Sequence, residues 1–319
     1  MASEATIETV IDRRRLRRKL TFWRLLTFVV LAAALIGLLY ATGTFRSAMT
    51  AVAPHIARVD VAGVITEDRK LIELLDRVGK SDAVQGVILR VDSPGGTSVG
   101  GEAIYEAVRR LAERKPTTAS VGTLAASAGY MVAAGTDHIV ARNTSIVGSI
   151  GVIVQVPQIA GLLDKIGVEV REIRSTPLKA QPSPFSETTP DEEAMIRRVI
   201  DSSYAWLVDL VAERRPFDRA QALRLADGSV YSGLQAKELQ LIDAIGGEDV
   251  ARAWLTTKGV DENLKIVDWK PANPTGLFGL DSIARPASAT DRALAEEVKR
   301  LRRLVPERLF LDGLLSIWQ

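Results

Sequence analysis

The feature that most constrains this chain is a short aliphatic run that ends in a glycine corner. Val87-Ile88-Leu89-Arg90-Val91 leads straight into Asp92-Ser93-Pro94-Gly95-Gly96. Such a run, bounded by turn residues, reads as a buried strand. Behind the corner, Val99, Ala103, Ala107, Val108 and Leu111 recur on one helical face. The same alternation repeats along the chain. Ile56, Val59 and Val61 begin a strand, and Leu71, Leu75 and Val78 mark a helix stopped by Gly79. Further strands are expected at 138–141, 147–154 and 168–173, with a helix from Pro157 to Ile166 ended by Gly167. Strands alternating with helices predict an α/β layered fold with a mostly parallel sheet.

Two places in this pattern offer chemistry. The Pro94-Gly95-Gly96 corner exposes backbone N–H groups with no side chain in the way, and so can hold an oxyanion; it is equally a tight β-to-α turn. Residues 121–130 read Val-Gly-Thr-Leu-Ala-Ala-Ser-Ala-Gly-Tyr and follow a strand expected at 117–122. They place Ser127 where a strand gives way to a helix, a turn that aims a hydroxyl outward beside helix N-terminal N–H groups. Ala125 stands where the Gly-x-Ser-x-Gly motif has its first glycine. A helix N-cap is the competing role for such a serine.

An acyl-transfer site needs a nucleophile, a base and oxyanion donors. The chain holds only two histidines, His55 and His138. The first adjoins an apolar N-terminal span and the second lies in an expected strand, so both read as ordinary residues. Lysine is the remaining class of base. It acts only when neutral, which requires burial to lower its pKa from about 10.4 by roughly three units, some 4 kcal/mol. Lys179, between Leu178 and Ala180 in a loop expected at 174–189, is the favoured candidate, its nearest acids in sequence being Glu172 and Glu187. A solvated loop lysine is the competing reading.

Charge and hydropathy set the address. Of 41 Lys/Arg and 39 Asp/Glu, residues 1–24 carry seven basic and three acidic, leaving 34 and 36 for the remainder. The body therefore lacks a broad nucleic-acid footprint. Residues 25–45 are uncharged and approach the roughly 20 apolar residues of a membrane-spanning helix. Phe22 and Trp23 stand where an interfacial aromatic belt would lie, with basic residues before the span and Arg46 alone just after it. This predicts a cytoplasmic N-terminus and an extracytoplasmic body. The rival, a signal peptide cleaved after Ala51-Val52-Ala53, is disfavoured by Pro54 in the next position. Without cysteine, disulfides and thiolate metal sites are excluded.

Further along, Thr189-Pro190-Asp191-Glu192-Glu193 is a helix start, and that helix should run to about Arg214. Short helices are expected over 217–255. From Asp261 to Ala289 the pattern weakens into a linker, and Thr290 can cap a last helix with Leu294, Val298, Leu301 and Val305 on one face. The domain plan is a basic cytoplasmic segment (1–24), a transmembrane helix (25–45), an α/β body domain (56–255), and a linker with a helical tail (256–319).

Four motifs in order carry a resemblance: Leu89-Arg90-Val91-Asp92-Ser93-Pro94-Gly95-Gly96, Ala125-Ala126-Ser127-Ala128-Gly129-Tyr130, Val147-Gly148-Ser149-Ile150-Gly151, and Tyr231-Ser232-Gly233-Leu234-Gln235-Ala236. Together they resemble the signal peptide peptidase A family of membrane-anchored Ser/Lys proteases, over residues 56 to about 255. The resemblance implies an α/β fold of stacked β-β-α units like that of caseinolytic protease and crotonase. It also implies a Ser127 nucleophile, a Lys179 general base, oxyanion donors at the Gly96 and Ala128 N–H groups, and a supporting hydroxyl at Ser149. No cofactor or metal is implied. The expected substrates are remnant signal peptides at the membrane, and the expected assembly is a homo-oligomeric ring that can share the dyad between subunits. The chain departs from the family at Ala128, where glycine is frequent, at Thr176 and Leu178 around the lysine, and at Gln240. Two other classes share the fold: a crotonase-like acyl-CoA enzyme and an inactive membrane scaffold. A CoA site would want a basic nucleotide pocket and a catalytic carboxylate, for which the sequence offers no clear candidate.

Overall fold

The computed structural model describes residues 22–34, 53–271 and 315–317. The chain divides into two compact units, Met1–Pro54 and His55–Gln319. In the first, residues 22–34 form helix α1, which leaves Phe22, Trp23 and Phe28 exposed. Among the described residues no helix is long and apolar enough to cross a membrane. The part of the expected span beyond residue 34 lies outside the described residues, as does the helix expected from Thr290.

The second unit is built on one mixed sheet with helices against it. Strands β1 (His55–Ala62), β2 (Val84–Ser93) and β4 (Thr117–Ala126) run parallel at its centre. Helices α2 (Arg69–Lys80) and α3 (Ser98–Ala112) make the crossovers, the second starting directly after the short strand β3 (Gly95–Thr97). The face expected on α2 is the observed one, since Leu71, Leu75 and Val78 are buried; on α3 Ala107, Val108 and Leu111 are buried as expected, but Val99 is exposed and Ala103 half-buried, and Ile104 and Tyr105 complete the inner face instead. The α2 start is fixed by Asp68, whose carboxylate accepts the Lys70 and Leu71 N–H groups.

Strand β4 forks. Its first half pairs in parallel with β5 (His138–Ala141), and its last three residues pair with β6 (Ile146–Gly148). Between the halves the register with β2 slips: Val91 faces Val121, but Ser93 faces Ala125. β4 therefore carries two extra residues opposite Asp92, a bulge that redirects its end. Helix α4 (Ala128–Ala134) follows and is buried along its whole length.

Several expectations are revised. The strand expected over 147–154 stops at Gly148, because Gly148 and Ser149 take φ of 106° and 50°, outside extended geometry. The helix expected from Pro157 to Ile166 is only α5 (Ala160–Lys165). Residues 168–173 form no strand; an apolar alternation without a neighbouring strand cannot satisfy its backbone. Helix α6 (Pro190–Arg214) is as read, with Thr189 and Glu192 forming a reciprocal capping box. It is followed by α7 (Arg219–Leu225), β7 (Val230–Ser232), α8 (Gly233–Glu238), β8 (Ala244–Ile245) and α9 (Glu248–Thr257). Within the stretch read as linker, β9 (Ile266–Trp269) pairs in parallel with β1 at the sheet edge. Residues 315–317 form β10, antiparallel to β3.

Candidate active site

The β4 bulge delivers Ser127 to the turn before α4. Its backbone sits at φ 54° and ψ −116°, and the residue is 2% exposed. A non-glycine residue held there costs on the order of 1–3 kcal/mol, which the surroundings must offset. They do so through the backbone. The Ser127 N–H donates to Gly148 O at 2.8 Å, and its carbonyl accepts the Met131 N–H at 2.9 Å. Ser127 occupies the N-cap position of α4, yet its hydroxyl makes no capping bond. The ordinary N-cap role is therefore not the one it plays.

Ser149 follows the residue whose carbonyl holds Ser127. It is buried, takes φ 50°, and its N–H donates to Ser229 O at 2.7 Å. Ala128, fully buried, is the first residue of α4, and its N–H is among those a helix start leaves without an intrahelical partner.

The glycine corner packs against the same helix start. A Cβ placed on Gly129 would lie 2.8 Å from Ser93 O, and one on Gly101 would lie 3.0 Å from Ala128 Cβ. Strand β3 meets Ile65 on one edge, where the Ile65 N–H donates to Gly95 O at 2.8 Å and the Thr97 N–H donates to Ile65 O at 2.9 Å. Because backbone groups alternate along a strand, the Gly96 N–H faces the opposite edge. The glycine is required there, since a Cβ on Gly96 would fall 1.8 Å from Ile65 O.

Two residues that the sequence reading passed over shape this corner. Asp92 Oδ1 accepts the N–H groups of Thr123 at 3.1 Å and Leu124 at 3.2 Å, which holds the β4 bulge open. Ser93 Oγ donates to Gly63 O at 2.7 Å and accepts the Gly95 N–H at 3.1 Å, which fixes the turn into β3. Short polar residues immediately before Pro-Gly-Gly are the signal for such turn-locking side chains.

Lys179 is exposed, in a turn where its N–H donates to Thr176 O at 3.2 Å. The loop is pinned nonetheless: Ser183 Oγ donates to Glu172 at 2.8 Å, Gln158 donates to Thr188 Oγ1 at 2.7 Å, and Arg174 pairs with Glu172. Neither histidine takes the place of the lysine. His55 Nε2 accepts the Trp269 indole N–H at 3.0 Å. His138 stacks on Trp254 at 4.9 Å between ring centroids, and burial lowers its pKa although Asp243 lies 3.8 Å away.

Beside the corner, a cavity of about 320 Å³ is lined by Val99, Met131, Val152, Trp206 and Leu207, with Glu102 in its wall. Val99 lies two residues beyond β3 and Met131 one helical turn beyond Ser127. The cavity thus takes its walls from both helices that start at the site, and suits an apolar side chain of a bound chain.

A strained serine between a glycine corner and a helix start, next to an apolar cleft, defines a candidate hydrolase site. Comparison with known proteins narrows the class. Residues 109–261 match the model of peptidase family S49. A protein of Methanocaldococcus jannaschii assigned as a protease is 40% identical over 212 residues, 66% of this chain and 68% of the relative. A protein of Enterococcus faecium assigned as a signal peptide peptidase is 33% identical over 197 residues, 61% of this chain and 57% of the relative. A chloroplastic serine protease of Arabidopsis thaliana is 33% identical over 253 residues, 77% of this chain and 37% of the relative. The chain belongs to peptidase family S49, the signal peptide peptidase A family, and is a protease of that family.

Proposed function

We propose that the chain is a membrane-anchored serine endopeptidase that uses a Ser127/Lys179 dyad to cleave remnant signal peptides on the extracytoplasmic side of the membrane. The observation that carries this reading is the strained backbone of Ser127, facing a corner whose Gly96 N–H is turned away from Ile65. Ser127 Oγ attacks the scissile carbonyl carbon. Its proton passes to the Lys179 amine, and the oxyanion is received by the Gly96 and Ala128 N–H groups. The lysine then returns the proton to the leaving amine, and water releases the acyl group by the same route. In this reading the Ser149 hydroxyl orients the lysine. The fold is read as the stacked β-β-α arrangement of caseinolytic protease and crotonase, which suits the forked β4.

The exposure of Lys179 in a single chain supports a dyad shared between neighbouring subunits of a ring. Exposed Ile159, Leu162, Ile166 and Val168 near the lysine loop, together with Ile173 and Phe185, are apolar surface of the kind that interfaces cover. Anchoring rests on the uncharged stretch 25–45 behind its basic flank. An apolar substrate class fits the cavity lined by Val99, Met131 and Leu207. The test is covalent labelling of the full chain with a serine-reactive fluorophosphonate. Label should appear on Ser127 and be absent in Ser127→Ala, whereas no labelling of the assembled wild type would refute the reading.

A further inference from the structure

The loop that carries Lys179 is held at its feet and not at its tip. At one foot stands Glu172, and at the other, eleven residues on, stands Ser183, which is 1% exposed. The Ser183 hydroxyl donates to Glu172 Oε1 at 2.8 Å and accepts the Phe185 N–H at 3.3 Å, while the other Glu172 oxygen pairs with Arg174. One carboxylate therefore ties both feet together. The carbonyl of the next residue, Pro184, accepts the Ile159 N–H at 2.8 Å, which fixes the second foot ahead of α5. Between the feet the tip has only its own turns: the Lys179 N–H donates to Thr176 O at 3.2 Å and the Gln181 N–H to Leu178 O at 3.4 Å. Among the described residues, no side chain of 175–182 forms a hydrogen bond or an ion pair. The placement of Lys179 is thus set by where the feet are held.

We propose that Glu172 and Ser183 form a clasp that positions Lys179 for its proton transfer with Ser127, whichever subunit's serine the lysine serves. The inference rests on the reading of Lys179 as the base, and both residues act through the lysine. A base must stand within hydrogen-bond reach of the proton it takes, and a misplacement of about 1 Å can cost on the order of a hundredfold in rate. A loop open at its feet spreads the lysine over many placements, few of them productive. A hydroxyl bound to a charged carboxylate is suited to prevent this, being stronger than a bond between neutral groups. The Arg174 pair, with both side chains partly exposed, is screened by solvent and adds little. The clasp therefore needs an acceptor at position 172 more than it needs a charge. It shares no residue with the apolar cavity or the Gly96 corner, so opening it should lower kcat and leave KM in place.

The test is steady-state hydrolysis of an apolar peptide by the full chain and by Ser183→Ala, Glu172→Ala, Glu172→Gln, Lys179→Ala and the double variant Glu172→Ala/Ser183→Ala, with the size of the assembly followed by sedimentation. In Ser183→Ala and Glu172→Ala, kcat should fall about ten- to a hundredfold with KM within about twofold of wild type. The double variant should be no slower than the slower single one, because both changes remove the same bond. Glu172→Gln keeps an acceptor and should stay within about fivefold of wild type. Full kcat in Ser183→Ala and Glu172→Ala beside an inactive Lys179→Ala would overturn the clasp and leave the dyad standing, as would losses that multiply in the double variant. A fall in kcat that tracks loss of assembly would also overturn the positioning role. An active Lys179→Ala would instead remove the lysine as base, and the clasp's role with it.

Discussion

Asp92 holds Thr123 across the sheet: its Oδ1 accepts the Thr123 N–H at 3.1 Å from 31 residues earlier in the chain, and the next N–H, that of Leu124, at 3.2 Å. The two extra residues of β4 exist around this carboxylate, and the bulge they form sets where β4 ends and Ser127 begins. Replacing Asp92 by Ala leaves the exposed Thr123 N–H and the half-buried Leu124 N–H without this acceptor, at about 1 kcal/mol of stability. Asp92→Asn keeps one acceptor oxygen and should recover most of that loss. Urea unfolding reads the stability, and the fluorophosphonate labelling rate reads the placement of Ser127. Equal stability in Asp92→Ala and wild type would show that the bulge does not depend on the carboxylate.

Gly96 and Gly161 form a matched pair of glycine positions. A Cβ on Gly96 would overlap Ile65 O, whereas one on Gly161 in α5 meets nothing within 4 Å. Gly96→Ala must displace β3 from Ile65 and with it the N–H assigned to the oxyanion, so kcat should drop by about 10²–10³ with a lowered Tm. Gly161→Ala should be neutral or stabilising by up to about 1 kcal/mol. An active, normally stable Gly96→Ala protein would remove Gly96 from the site.

Much of this arrangement was legible along the chain, and the parts that were not share a physical cause. The Val87–Val91 strand, the buried face of α2 and the Thr189/Glu192 cap are set by neighbours within a few residues, so periodicity and capping chemistry reveal them. The turn at Ser127 was visible as a strand meeting small residues. The β4 bulge, the Gly96–Ile65 contact and the β3–β10 pairing join residues far apart in sequence and leave no local pattern. Ile266–Trp269 was hidden for another reason: it is a short edge strand interrupted by Asp268, whose carboxylate pairs with Arg58 at 2.6 Å rather than turning into the core. Residues 168–173 show the converse, a strand-like alternation that has no strand partner within the described chain.

Stability should fall on the acid side through His138, separately from catalysis. Burial lowers the His138 pKa below its ordinary 6.5, so the fold favours the neutral ring. Its contribution is complete above pH 6.5 and is lost as the pH drops through the folded value, because the unfolded chain takes up the proton first. For Asp243, burial pushes the pKa upward, but Arg215 at 2.9 Å outweighs it and the net shift is downward, so its contribution fades only below about pH 3.8. Between pH 6.5 and 4.5 the decline in urea midpoint should therefore be smaller in His138→Gln than in wild type. Parallel curves would show that the stacked imidazole does not govern this window. Peptidase activity should not follow this window, since the stacked imidazole is not the base proposed above. An activity limb near 6.5 that persists in His138→Ala would count against Lys179.

The sharing of the dyad can be tested by mixing. Ser127 is buried at the end of β4, whereas Lys179 is exposed on a loop pinned to 158–172. If the lysine serves a neighbouring subunit, Ser127→Ala and Lys179→Ala chains are each inactive alone. Assembled together, some interfaces pair an intact serine with an intact lysine. In an even mixture that orders itself at random, about a quarter of the interfaces have both, so activity should approach about one quarter of wild type. If each site were built within one chain, every subunit would lack one member whatever its neighbours. Co-assembly must be verified with two affinity tags, each pulling down the other variant. A mixture that co-purifies through both tags and stays as inactive as its components would place the base and the nucleophile in the same chain.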